Sequence, residues 1–125
     1  MKPHEEWLYK AEHDLESACI LFESNRPVLD MAIYHTQQCA EKALKGFLVW
    51  NDREVDKTHY LPALLDQCKN LDGSFDCLME ATFHLNPYSS LYRYPHASDG
   101  PSRPETGNAI SLATQVLNIV KGKIT

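Results

Sequence analysis

Glycine is scarce in this chain, and where it occurs it is too widely spaced to cradle a phosphate. The five glycines, at 46, 73, 100, 107 and 122, make neither a Gly-x-Gly-x-x-Gly nor a P-loop fingerprint, which excludes a nucleotide cradle of either standard kind. The six histidines, at 4, 13, 35, 59, 84 and 96, include no His-x-x-x-His or His-Glu-x-x-His pair. No Glu-x-x-His is present either, so neither a helical zinc site nor a di-iron bundle is expected, and no metal or cofactor is assigned. Signatures of a serine or cysteine nucleophile are missing too.

Basic residues are outnumbered. Twelve lysines and arginines against seventeen acids leave a net charge of −5, which argues against an extended nucleic-acid surface but leaves room for one small basic pocket. No apolar run, Phe47-Leu48-Val49-Trp50 included, approaches the length of a membrane span. The opening MKPHEEW meets acidic residues at once, so neither a signal peptide nor a membrane anchor is expected, and the reading is cytoplasmic. The four cysteines, Cys19, Cys39, Cys68 and Cys77, form no Cys-x-x-Cys pair and fall in apolar helical patterns. They read as small buried hydrophobes in a reducing compartment.

Apolar residues at helical spacing are abundant. Leu8, Ala11, Leu15, Ala18 and Phe22 mark a one-faced helix over about 4–24, closed by Ser24-Asn25-Arg26-Pro27. A second helix is predicted from about Leu29 to Asn51. A third carries Leu61, Leu64, Leu65, Cys68 and Leu71, with Pro62 in its first turn, and ends near Asp72-Gly73. A fourth, capped by Ser74, presents Phe75, Leu78, Thr82 and Leu85. Tyr88–Ser102 reads as a long loop. Ser102-Arg103-Pro104-Glu105 matches a capping box before a fifth helix on Ile110, Ala113, Leu117, Val120 and Ile124. With no alternating strand pattern and no repeat, residues 1–125 read as one all-α domain, an antiparallel helical bundle.

The second helix poses the functional question. Ile33, Thr36, Ala40, Ala43, Leu44, Phe47, Leu48 and Trp50 cover more than half its circumference, as in a helix buried against several partners or against partners plus a second subunit. Gln37 falls inside this arc and needs a hydrogen-bond partner on a neighbouring helix or a dimer mate. Gln38, Glu41, Lys42, Lys45 and His35 cluster opposite, either as a solvated face or as a binding face, with Glu41 and Lys45 at salt-bridge spacing.

The order and spacing of "YKAEHDLESACILFE", "HTQQCAEKALKGFLVW", "THYLPALLDQC" and "YRYP" resemble the HEPN domain family, from about Trp7 to Val120. The most specific parts are Gln38, Glu41, Lys42 and Lys45, then Thr58-His59, then Tyr92-Arg93-Tyr94-Pro95. The resemblance implies an up-and-down four-helix bundle with an additional short helix, commonly paired into homodimers. It implies a nucleotide- or RNA-associated module, often working with a minimal nucleotidyltransferase in toxin–antitoxin pairs.

Other members of the family are ribonucleases that use an arginine followed four to six residues later by a histidine. The nearest candidate here, Arg93-Tyr-Pro-His96, has only two intervening residues. An endoribonuclease built on Arg93 and His96, and a purely structural dimerisation module, therefore stand as alternatives to a binding module. In the binding reading, Arg93 grips phosphate, Tyr92 and Tyr94 stack on a base or sugar, and Lys42 and Lys45 add phosphate contacts. Gln37, Gln38, Glu41 and His59 are assigned structural polar roles, with His59 at the start of the third helix.

Overall fold

The long helices begin where the chain supplies a start signal. In the computed structural model, which describes residues 1–95 and 99–124, Pro3 opens α1 (Pro3–Glu23), and Glu5 Oε1 accepts the Lys2 N–H at 2.8 Å. A short turn leads into α2 (Leu29–Trp50), and an extended connection leads on to α3 (Leu61–Leu71). Ser102 Oγ accepts the Glu105 N–H at 3.1 Å to start α5 (Arg103–Lys123). The Glu105 carboxylate does not close the expected capping box, because two tyrosine hydroxyls hold it. The architecture is the antiparallel four-helix bundle with an additional short helix, and no strand occurs among the described residues.

The fourth helix departs from expectation at its start. Asp72, not Ser74, is the cap: its Oδ1 accepts both the N–H (3.0 Å) and the hydroxyl (2.6 Å) of Ser74. The chain therefore winds tightly, as a 3₁₀ segment over Gly73–Leu78, before α4 (Met79–Leu85) takes over. Phe75, Leu78, Thr82 and Leu85 are buried as their spacing predicts.

Helix α2 is the central element. Its Ile33, Ala40, Ala43, Leu44, Phe47 and Leu48 are buried against Ala11 of α1, Leu61, Leu64 and Leu65 of α3, and Ala113, Val116 and Val120 of α5. Each large aliphatic removed from water contributes about 1.5–3 kcal/mol, so this one core accounts for the fold. The chain's own helices thus consume the wide apolar arc. Small residues let α1 lie close: a Cβ on Gly46 would stand only 3.3 Å from Trp7 Cβ. Cys39 and Cys68 are buried as expected, whereas Cys19 is half-buried and Cys77 exposed, and all four thiols are free. No helix is long and apolar enough to cross a membrane, among the described residues.

Candidate functional site

Tyr34, Gln38, Glu41 and Lys45 recur at helical spacing and form one stripe along α2. Taken as a solvated face, this stripe should be wet. It is instead covered along much of its length. The Glu41 and Lys45 side chains are 5% and 6% exposed and ion-paired at 3.0 Å, and Lys45 Nζ lies 5.8 Å from the Trp7 ring centroid. The other Glu41 oxygen accepts from His59 at 2.8 Å. A carboxylate only accepts, so His59 Nδ1 carries the hydrogen. Gln37, wholly buried, donates to the His59 carbonyl at 3.0 Å, and Gln38 donates to Gln37 Oε1 at 2.7 Å. These four residues tie the α2–α3 connection to the helix. His59 keeps two thirds of its own side chain exposed.

On the flank of that stripe, Asp14 of α1 receives His35 Nδ1 at 2.8 Å and Lys42 Nζ at 2.6 Å. Burial pushes the Asp14 carboxyl upward, but the hydrogen bonds from His35 and Lys42 outweigh it, and its pKa falls below the usual range. Lys42 thus binds α1 to α2. Both lysines assigned to an anion surface already have a carboxylate.

The tyrosine-rich segment is assembled differently. Tyr88 and Tyr92 stack at 6.1 Å, and both hydroxyls donate to the Glu105 carboxylate, at 2.8 and 3.1 Å. Burial, then the bond to Glu105, raises the pKa of Tyr88 well above that of a free phenol. This clamp fixes the segment to the start of α5. It aims Arg93 outward onto α2, where its guanidinium lies 4.4 Å from the Tyr34 ring centroid and 5.5 Å from that of Tyr94. Arg93 Nη1 also reaches the Ser89 carbonyl at 3.4 Å, and no carboxylate among the described residues lies within ion-pair distance of it. On the other side of the segment, Tyr92 and Tyr94 wall a cleft of about 430 Å³ with Pro27, Pro101, Asp30 and Asp99.

The structure therefore joins Arg93 to Tyr94, and Gln37, Gln38, Glu41 and His59 to one another. It does not bring Lys45 to Arg93, since Tyr34 and Lys45 are eleven positions apart on α2, roughly 16 Å along the axis, and Lys42 is turned to Asp14. His96, named with Arg93 as a catalytic alternative, lies outside the described residues. Sequence reasoning missed Tyr34, Asp14, Tyr88 and Glu105. Tyr34 was one turn before Gln38 on the same stripe, a signal in hand. Asp14 and Glu105 pair across helices, which spacing along one helix does not reveal. No group of three or more His, Cys, Asp or Glu fit to hold a metal occurs among the described residues.

Fold and site together define a small helical-bundle protein with an arginine–tyrosine face and a polar-tied central helix. The chain belongs to the HEPN domain family, whose model matches residues 4–123. Two solved structures resemble it closely. ST0689, an archaeal HEPN homologue, is 29% identical with a TM-score of 0.78, covering 100% of both chains. TT1696 from Thermus thermophilus is 29% identical with a TM-score of 0.79, covering 98% of this chain and 99% of its own. A candidate toxin of Methanocaldococcus jannaschii, MJ1304, is 42% identical over 45 residues, which are 36% of this chain and 28% of that protein.

Proposed function

We propose that this protein is the HEPN component of a toxin–antitoxin-type pair, working with a minimal nucleotidyltransferase as a homodimer, and that its Arg93–Tyr34–Tyr94 face binds the phosphate and base of a nucleotide or RNA. The observation that carries the ligand reading is Arg93: a guanidinium held on two aromatic rings, solvent-exposed and with no acidic partner among the described residues. Such a fork donates two parallel hydrogen bonds to a phosphate, and the rings beside it offer a stacking surface. The similarity to the M. jannaschii candidate toxin supports the pairing, as does membership of the family. Lys42 and Lys45 take structural roles in this reading, because a phosphate would have to displace Asp14 or Glu41. Exposed Met79 and Phe83 on α4, 52% and 72% accessible, support self-association.

Thermal denaturation with ATP, GTP and a short single-stranded RNA tests the ligand. Stabilisation by mass action is expected for the parent and not for Arg93→Ala; equal shifts in both would remove Arg93 from the site. Inducible expression alone and beside a nucleotidyltransferase encoded next to it tests the pairing. Growth arrest relieved by the partner is the expected result, and unimpaired growth in both cases would sink the toxin reading.

A further inference from the structure

The cations of this acidic chain are mostly occupied. Lys42, Lys45, Lys69, Lys121 and Lys123 each have a carboxylate within 3.0 Å, and Arg93 and Arg103 rest on aromatic rings. Among the remaining ones, Lys2 and Arg53 stand out because they line the same cleft. It has a volume of about 520 Å³ and lies between the beginning of α1 and the end of α2, walled by Lys2, His4, Val49, Trp50, Asp52 and Arg53. Neither Lys2 nor Arg53 has an ion pair among the described residues, although Asp52 shares the cleft.

Arg53 is also firmly placed. After Trp50 the chain turns through Asp52 in the left-handed region (φ 59°), and the N–H groups of Asp52 and Arg53 donate to the carbonyls of Val49 and Leu48, each at 2.9 Å. This closed turn ends α2 and holds the Arg53 backbone against it. Arg53 also lines a second cleft of about 330 Å³ with Leu48, Glu54, Gln67, Asn70 and Leu71. Arg53 thus borders both a hollow with a second cation and an indole, and a hollow with two carboxamides and the Glu54 carboxylate on an apolar floor. Both volumes fall in the range of small-molecule sites.

We propose that this double cleft is a binding site for a small phosphomonoester carrying a planar ring. Arg53 and Lys2 hold the phosphate, Trp50 gives the ring a stacking face, and Gln67 and Asn70 meet polar edges that reach past Arg53. The site is separate from the Arg93 face. Tyr34, under Arg93, and Trp50 are sixteen positions apart, roughly 24 Å along α2. The proposal therefore stands or falls independently of the function argued above.

The test is a fluorescence titration with AMP, inorganic phosphate and adenosine on Trp7→Phe protein, in which Trp50 is the sole indole. AMP should quench it saturably, phosphate should compete more weakly, and adenosine alone should bind weakest. Arg53→Gln should weaken AMP about tenfold or more, Asp52→Asn should tighten it several-fold by removing the carboxylate that shares the cleft with Lys2, and Arg26→Gln, an exposed cation before the other end of α2, should change nothing. If Trp7→Phe does not fold, amide shifts of residues 49–53 in the parent protein give the same readout. No saturable response to about 10 mM AMP, a range weaker than millimolar affinity, overturns the proposal. So does binding that Arg53→Gln leaves intact.

Discussion

Glu41 and His59 are joined by a 2.8 Å hydrogen bond although the carboxylate is buried and the imidazole is two thirds exposed. The bond links the middle of α2 to the residue just before Tyr60 and α3, and it leaves the second Glu41 oxygen for Lys45. A helix surface that reads as solvated thereby becomes the seam on which the α2–α3 connection is fastened.

Removing that carboxylate should be costly. Glu41→Ala strands the Lys45 ammonium, 6% exposed, without a counter-ion, and such losses run to about 3–5 kcal/mol. Pairing it with Lys45→Met should recover much of the loss, since a thioether in place of the buried ammonium needs no counter-ion. Urea denaturation of the two variants measures this; a cost under about 1 kcal/mol for Glu41→Ala would mean that Lys45 reaches water.

Acid should loosen the ties at two carboxylates. Bonds from the Ser74 hydroxyl, then from Lys123 and the Ser74 N–H, hold the Asp72 pKa down to about 2, from the ordinary 3.8, and that of Asp14 is depressed in the same direction. A carboxyl with a depressed folded pKa contributes stability that is present above its unfolded pKa and disappears as pH falls through the folded one. The Asp72 contribution is thus complete above about pH 4 and gone near pH 2. Asp72→Asn should flatten the stability profile across that window; a profile parallel to the parent's would refute the assignment.

The thiols should separate by burial. Burial lifts the Cys39 and Cys68 thiols to about 12, so little thiolate forms at neutral pH, while Cys77 stands exposed. Iodoacetamide at about pH 8, near the ordinary thiol pKa, followed by peptide mass spectrometry should label Cys77 first and Cys39 and Cys68 only in denaturant. Early labelling of Cys39 would show that α2 opens from α1 in the native state.

Asp52 is the one non-glycine residue with a positive φ among the described residues, in a turn that favours glycine. Asp52→Gly should stabilise the protein by about 0.5–1 kcal/mol, as the relief of left-handed strain exceeds the added freedom of the unfolded chain. A melting temperature that falls on this substitution would show that the Asp52 side chain stabilises the turn.

Local patterns in the sequence were enough for the long helices, most of their ends and the buried arc of α2, but not for the Asp72 cap and 3₁₀ turn that precede α4. Proline, capping side chains and a helical apolar period of about 3.6 residues act within a few positions, so Pro3, Ser102 and the Leu61–Leu71 pattern were legible one segment at a time. Family membership was legible too, through the order of Gln38-x-x-Glu41-Lys42, Thr58-His59 and Tyr92-Arg93-Tyr94. What each polar side chain does follows from packing between helices. Asp14 meets Lys42 across 28 positions, His59 meets Glu41 across 18, and Tyr88 meets Glu105 across 17. Those pairings depend on how the helices lie against one another. A charged residue's exposure is set by what packs over it, which is why Lys45 looked available on its own helix and is buried beneath Trp7 in the folded chain.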